Sequence, residues 1–126
     1  MKTYAAPDAA PPVGPYSPAV EIDGLVFVSG QIALDAAGNM AAYSATDQAR
    51  RVLDNLAALL AAAGLDLSAV VKTTIFLTDM ADFAGVNDVY AGYFTEPFPA
   101  RSTVQVVALP KGAKVEIEAL AKRSRG

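Results

Sequence analysis

The strongest constraint on the fold is an alternation of apolar and charged residues near the carboxyl end of the chain. In residues 114–121, Lys114, Glu116 and Glu118 alternate with apolar residues, which are Val115, Ile117, Ala119 and Ala121. Because successive side chains of a strand point to opposite faces of a sheet, one face of this strand belongs in a hydrophobic core and the other does not. The segment therefore predicts a β-sheet that is covered on one face by other elements.

Four further segments have the composition of β-strands, since they are rich in β-branched and other apolar residues. They lie at 20–22, 25–31, 70–78 and 102–109. The first two are separated only by Asp23-Gly24, a pair that is typical of a two-residue hairpin turn. The last of the four is joined to the final strand across Pro110-Lys111-Gly112.

Two segments follow helical spacing. The first is predicted to begin after Ser44, whose hydroxyl can cap the helix with Asp47 in its first turn, and to end at Gly64. The second is predicted to follow Asp79 and to end at Pro97. Its apolar side carries Phe83, Val86, Tyr90 and Phe94.

The order of these elements is two strands, a helix, a strand, a helix and two strands, which indicates a single α+β domain over residues 1–126. Both helices are expected on one face of the sheet, and the Pro-interrupted residues 1–13 are expected to be loosely ordered. The continuous apolar run Leu25–Val28, together with Phe76, predicts burial on the second face as well. Since two helices do not readily cover both faces, we expect a second copy of the chain there, and hence a homo-oligomer.

The absence of two residue types excludes several kinds of active site. The chain has no cysteine and no histidine, which excludes disulfides, thiolate nucleophiles, a Ser-His-Asp triad and nearly all zinc sites. It also lacks the glycine-rich loops that bind phosphates. Any catalysis must therefore use Arg, carboxylates, Tyr, hydroxyls, backbone groups and bound water, and no metal is expected.

Charge and hydropathy argue against large polyanionic or lipid partners. The net charge is −3, and basic residues cluster only in the short tail 122–125, so nucleic-acid binding is not expected. The longest purely apolar run, residues 56–63, is much too short to cross a bilayer, and no secretory signal is visible. The sequence thus predicts a cytoplasmic protein with no membrane partner.

Five motifs occur in order between Gly14 and Ala121: GPYSPAV, FVSGQI, VVKTTIFLTDMADFAGVN, FPARSTV and KVEIEA. With them the chain resembles the RidA/YjgF family of enamine and imine deaminases. The resemblance implies a chorismate-mutase-like fold assembled as a homotrimer, with a central barrel of sheets, helices outside and sites between subunits. It also implies hydrolysis, without a cofactor, of small substrates such as 2-aminoacrylate and 2-iminobutyrate to the 2-keto acid and ammonia.

The same resemblance assigns roles to residues of these motifs. Arg101 is implied to clamp the substrate carboxylate, and Glu116 is implied to hold the attacking water together with the backbone of Thr103. The residues implied to line the pocket are Tyr16, Ser29, Gly30 and Asn87. These residue types suit imine hydrolysis, because Arg offers a rigid fork of donors and an electrophilic imine mainly needs to be positioned.

Each assignment has a purely structural alternative. Arg101 could form a surface or intersubunit salt bridge, and Glu116 with Glu118 could be the polar face of a strand. Tyr16 could simply pack between its two prolines, and Asn87 could be an ordinary polar residue of a helix. The alternative function is a non-catalytic protein of the same fold that binds a small carboxylate such as a 2-keto acid. A nuclease activity is disfavoured by the acidic balance of the chain.

Two positions depart from the family pattern. Many members have Cys two residues after the motif arginine, where this chain has Thr103. The loop at 95–97 is also shorter than in the best-known members, so substrate preference is expected to depend on this region.

Overall fold

The computed structural model describes residues 1–124, within which six strands form one sheet of order β1-β2-β3-β6-β4-β5. The strands are β1 (Lys2–Tyr4), β2 (Ala19–Ile22), β3 (Leu25–Gln31), β4 (Val70–Leu77), β5 (Ala100–Gln105) and β6 (Val115–Lys122). Neighbouring strands are antiparallel except for β4 and β5, which are parallel. The hairpin between β2 and β3 has the predicted turn, with φ of 53° at Asp23 and 79° at Gly24. Positive φ at both turn residues matches the right-handed twist of the strands.

The two helices of the described chain are α1 (Ala45–Ala62) and α2 (Phe83–Ala91). The predicted ends of α1 are confirmed: the Asp47 N–H donates to Ser44 Oγ at 3.2 Å, and beyond the last turn the Leu65 N–H donates to the Leu60 carbonyl at 2.8 Å. These bonds satisfy backbone groups that a helix leaves unpaired at its termini. No helix within residues 1–124 combines the length and the apolar character that crossing a bilayer requires.

The hydrophobic core lies between the sheet and the two helices. On β6 the apolar residues of the alternation are buried, with at most 7% of each exposed, so the prediction of a helix-covered face is confirmed. The leucines that α1 buries completely are Leu53, Leu56, Leu59 and Leu60. Truncating one of them to Ala would cost about 2–5 kcal/mol, because it removes buried methyl groups and leaves a cavity that the surroundings close only in part.

The second helix is shorter than the sequence predicted. Asp79 caps a short 3₁₀ turn, Met80–Asp82, rather than α2 itself, and α2 ends at Ala91 instead of reaching Pro97. The Gly92 N–H bonds three residues back to the Val89 carbonyl at 3.1 Å, which tightens the last turn at a residue of low helix propensity.

Strand β5 also differs from its prediction, since it ends at Gln105 and not at residue 109. Its last ladder bond runs from the Val106 N–H to the carbonyl of Leu77, where β4 ends, and Val107 is then fully exposed. Moreover, β5 and β6 are not neighbours, because β4 lies between them. The apolar residues 106–109 continue past the point at which the partner strand stops, so the pattern overestimated the length of β5.

The amino-terminal segment is more ordered than predicted. Residues 2–4 form β1 and pair with residues 19–21, and the Tyr4 hydroxyl donates to Glu21 at 2.7 Å. Ala9 is buried in the core. The local composition could not predict this pairing, because the three-residue strand is stabilised by a partner 17 residues away in the sequence.

The sheet face opposite the helices has no cover within the described chain. Ile22, Phe27 and Val104 lie on it with 50%, 44% and 42% of their surface exposed, and Phe76 is half-buried. A single copy thus leaves open the face that the sequence predicted to be buried, and the homo-oligomer stays a prediction.

Candidate functional site

Arg101 lies on the edge strand β5 and points toward the helix layer. In the parallel ladder it is opposite Thr73, which is buried on the helix-covered face. Its guanidinium carbon Cζ is 4.9 Å from the ring centroid of Tyr90 and 5.7 Å from that of Phe83, both on α2. Arg101 is therefore a half-buried cation held against two aromatic rings.

Within residues 1–124, no acceptor binds the donors of Arg101. Among the described residues, the ion pairs within 4.0 Å are those of Arg50 with Asp47 and of Arg123 with Glu21, and no hydrogen bond of the Arg101 guanidinium is formed. Because guanidinium presents a planar fork of N–H groups, this side chain can accept a carboxylate in bidentate fashion. The salt-bridge alternative for Arg101 finds no partner within residues 1–124.

Thr103 adds two further unpaired groups on the same side of β5. Its hydroxyl oxygen, Oγ1, is buried and has no hydrogen-bond partner in the described chain. Since the Val106 N–H bonds to β4, the peptide groups of Thr103, three residues earlier, point to the free edge of the sheet. An anion held by Arg101 at this edge would thus meet the outward N–H of Thr103, while the unpaired hydroxyl lies below the surface beside it.

Asn87 lies on the same stripe of α2 as the two rings beneath Arg101. It follows Phe83 by four residues and precedes Tyr90 by three, and it is half-buried. Arg101, Thr103 and Asn87 are called the Arg101 half-site below.

Glu116 lies on β6 and points to the opposite, open face, where it is the ladder partner of Phe76. Strand β3 has a bulge opposite it, between Val28 and Gln31. Within this bulge, a Cβ on Gly30 would lie 2.5 Å from Oε2 of Glu116, so only glycine permits the carboxylate to pack against the β3 backbone. The bulge and the missing side chain at Gly30 thus allow Glu116 to approach the backbone of β3 closely.

The Glu116 carboxyl is half-buried, and this burial raises its pKa, with a further upward contribution from the negative charge of Glu118. It faces a cavity of about 80 Å³. The other residues that line the cavity are Ala10, Pro11, Pro12, Val13, Tyr16, Pro18, Gly30, Gln31, Ile32, Leu34, Asn55, Pro110 and Lys111. A carboxyl group with a raised pKa beside a small cavity is suited to exchanging a proton with bound water.

Tyr16 lines the same cavity as Glu116, and Ser29 precedes Gly30 in the bulge of β3. The Ser29 hydroxyl donates to the carbonyl of Ser17 at 2.7 Å, and its N–H donates to the Pro18 carbonyl at 2.9 Å. These bonds fix the loop that carries Tyr16, whose side chain lines the cavity and is 48% exposed. The Ser29 hydroxyl thus supports the loop, and Tyr16 is free to contact a ligand. Tyr16, Ser29, Gly30 and Glu116 are called the Glu116 half-site below.

The two half-sites do not face each other within one chain. Arg101 and Thr103 lie on the helix-covered face of the sheet, with Thr73. Glu116 lies on the open face, with Phe76. Strand β4 also separates β5 from β6. A single copy of the chain therefore does not bring the Arg101 half-site and the Glu116 half-site together.

Several residues of the site were not identified from the sequence. Phe83 and Tyr90 were assigned to the core because helical spacing does not distinguish a core stripe from a platform for a cation. The contribution of residues 10–13 and Lys111 to the cavity depends on long-range packing, for which the sequence has no local signal. A larger open cleft of about 930 Å³ lies elsewhere, along residues 65–69 and 93–97, and contains none of the predicted site residues. In the part of the chain that the structure describes, no three acidic side chains are grouped to hold a metal ion.

Comparison with known proteins agrees with this fold. The family model described as Endoribonuclease L-PSP matches residues 7–123, and the chain belongs to this family, the RidA/YjgF family. Protein DfrA of Myxococcus xanthus is 58% identical over 118 residues, which cover 90% of each chain. The 2-iminobutanoate/2-iminopropanoate deaminase of Salmonella typhimurium is 46% identical over 125 residues, or 97% of this chain and 98% of that one. The crystal structure of E. coli TdcF with bound serine superimposes with a TM-score of 0.92 at 42% identity, covering 98% of this chain and 99% of the other.

Proposed function

We propose that this chain hydrolyses small 2-enamino and 2-imino acids, such as 2-aminoacrylate and 2-iminobutyrate, to the 2-keto acid and ammonia. The observation that carries the proposal is the half-buried Arg101, whose donor fork has no partner among the described residues. A buried polar group without a partner costs free energy, so such an arrangement is expected where a ligand supplies the missing acceptor. The relatives support an imino acid as that ligand, since the S. typhimurium relative is named as an imine deaminase and the E. coli structure has bound serine, an amino acid of similar size.

The proposed reaction needs one water and no cofactor. The substrate carboxylate binds the Arg101 guanidinium and the outward N–H of Thr103, and the outward carbonyl of Thr103 holds the attacking water together with Glu116. Water, deprotonated by Glu116, adds through its oxygen to C2 of the protonated imine and forms a carbinolamine. Glu116 then gives this proton to the carbinolamine nitrogen and takes up the proton of the new hydroxyl group as the C2–N bond breaks, which leaves the 2-keto acid. The released ammonia accepts that proton from Glu116 and departs as ammonium, which restores the carboxylate. An enamine first takes a proton at C3 to become the imine.

We further propose that each site forms between two copies in a homotrimer. Arg101 and Glu116 point to opposite faces of one sheet, so a single small substrate can contact both only if they belong to different copies. The open face with Ile22, Phe27 and Val104 supports the same assembly, because a second copy would remove these side chains from water. Sedimentation equilibrium should give three times the chain mass at micromolar concentration, and a monomer would contradict the assembly.

A coupled assay tests the reaction. A threonine dehydratase releases 2-iminobutyrate, semicarbazide traps the imine, and added wild-type protein should lower the rate of semicarbazone formation. Arg101→Ala should abolish this effect, whereas the control Arg50→Ala should retain it, since Arg50 is an exposed residue paired with Asp47. No effect of the wild type, or a full effect of Arg101→Ala, would contradict the deaminase proposal. If the inactive wild type still binds 2-ketobutyrate through Arg101, the protein is instead a small-carboxylate binding protein.

A further inference from the structure

We infer that Tyr90 is a positioning residue for Arg101: its ring, anchored by a hydrogen bond to Thr73, sets the direction in which the guanidinium presents its donors. The role of Arg101 as the carboxylate clamp rests on the proposed function, whereas the stack between Arg101 and Tyr90 can be tested without it.

Tyr90 is fixed on three sides. Only 5% of it is exposed, and its hydroxyl lies 2.7 Å from the hydroxyl of Thr73, which is itself 1% exposed. Its ring also packs on Phe94, with 4.5 Å between centroids. Burial raises the pKa of the Tyr90 phenol, so this group stays protonated at neutral pH and its bond to Thr73 persists. The bond joins α2 to β4 and leaves the ring little freedom to turn.

Arg101 is linked to Tyr90 through Thr73, which lies opposite Arg101 in the ladder of β4 and β5. Thr73 is its partner across β4 and β5, so Arg101, Thr73 and Tyr90 form one contiguous unit. The guanidinium lies over the face of the Tyr90 ring at 4.9 Å, and Phe83 adds a second ring at 5.7 Å. Ring faces attract a cation without accepting its N–H groups in hydrogen bonds.

Arg101 must be held in one orientation while its N–H donors stay free to bind a substrate. A carboxylate partner within the chain would hold Arg101 in place, but it would also occupy the donors that a substrate needs. An aromatic platform holds the planar cation and leaves its edge free, which reduces the entropy lost when an anion binds. Tyr90 thus acts through Arg101 and contacts no reacting atom.

Binding of 2-ketobutyrate, the product of the proposed reaction, measures the effect of the platform. By titration calorimetry, Tyr90→Leu should weaken binding by about 5- to 30-fold, the range expected for a partly desolvated cation–π contact. Tyr90→Phe should lose less, since it keeps the ring and removes only the bond to Thr73. The matched control is Tyr93→Leu, an aromatic residue of the same region whose hydroxyl bonds to Asp54 and the Arg50 carbonyl. It should bind like the wild type.

A spectroscopic readout separates positioning from general stability. In wild type, the side-chain Nε–H signal of Arg101 should be shifted upfield by the ring current, and Tyr90→Leu should return it toward the value of a free arginine. An unshifted wild-type signal, or equal loss of affinity in Tyr90→Leu and Tyr93→Leu, would overturn the inference. If the signal is shifted but imines are not hydrolysed, only the proposed function fails. If imines are hydrolysed but the signal is unshifted, only the positioning role fails.

Discussion

Two arginines of this chain occupy opposite kinds of environment. Arg123 donates through Nε and Nη2 to the two carboxylate oxygens of Glu21 at 3.0 and 2.8 Å, and Nη2 also reaches the Ala63 carbonyl at 2.8 Å. Glu21 in turn accepts from the Tyr4 hydroxyl. Arg101 has aromatic rings on its face and no acceptor among the described residues.

The difference shows how to separate a structural arginine from a binding one. Around Arg123 the polar groups satisfy each other and join β1, β2, the end of α1 and the end of β6. Around Arg101 the guanidinium fork, the Thr103 hydroxyl and an edge N–H remain without partners in residues 1–124. Networks that are complete without a ligand stabilise the fold, whereas those that are incomplete are expected to be completed by one.

Removing each side chain should give the largest contrast. Arg101→Ala is expected to lower kcat/KM for 2-iminobutyrate by about 30-fold or more, the usual cost of deleting one partner of a desolvated charge-assisted pair. It should leave the melting temperature nearly unchanged. Arg123→Ala should do the reverse, lowering the melting temperature with kcat/KM within about threefold of wild type. Equal loss of activity in both variants would contradict the distinction between a binding role for Arg101 and a structural role for Arg123.

Exchanging Arg for Lys should sharpen the contrast. Arg101→Lys keeps the charge but loses the planar fork and the stack on Tyr90, and it should lower kcat/KM by roughly tenfold. Steady-state kinetics with semicarbazide competition would measure this. Equal activity of Arg101→Lys and wild type would show that only a point charge is needed there.

Thr103→Val should change stability and activity in opposite directions, each by less than the arginine variants do. Since the buried hydroxyl has no partner within residues 1–124, the isosteric valine is expected to stabilise the fold by about 1 kcal/mol. The same variant should lower kcat/KM a few-fold if the hydroxyl hydrogen-bonds the substrate. Urea unfolding and kinetics on one preparation give both values, and a destabilised variant would show that the hydroxyl already has a partner.

The smallest expected effect is a pH-dependent change in melting temperature, and it comes from the hydrogen bonds of Glu21 with Arg123 and Tyr4. The hydrogen bond from Arg123, followed by that from Tyr4, lowers the pKa of Glu21 from 4.5 to about 2. Its ionised form therefore stabilises the fold fully above pH 4.5, and this contribution is lost as pH falls from 4.5 toward 2. The melting temperature of wild type should exceed that of Glu21→Gln by a constant amount at higher pH, and the gap should close over that window. A gap independent of pH would contradict the account.

The parts of the fold that follow from local chemistry could be predicted from the sequence. Ser44 caps α1, Asp23-Gly24 forms the hairpin turn, and the alternation on β6 separates the two faces of the sheet. Each of these depends on residues close together in the chain.

The arrangement of the site depended on long-range pairing that no local pattern contains. The motif containing Arg101 made this residue a candidate, but its orientation follows from the parallel register with Thr73 and from the position of β4 between β5 and β6. The platform formed by Tyr90 was hidden because core and cation-binding positions on a helix have the same spacing. Likewise, β1 was missed because its partner lies far along the chain.

The central claim is that Arg101 of one copy and Glu116 of another form one site, and mixing two inactive variants tests it most directly. Arg101→Ala and Glu116→Gln are each expected to be inactive. When they are unfolded together in equal amounts and refolded as mixed assemblies, random assortment should pair an intact Arg101 with an intact Glu116 in roughly a quarter of the sites. Recovery of about this share of wild-type deaminase activity is the predicted result. Activity no higher than that of the separate variants, in assemblies shown to be mixed, would contradict the account.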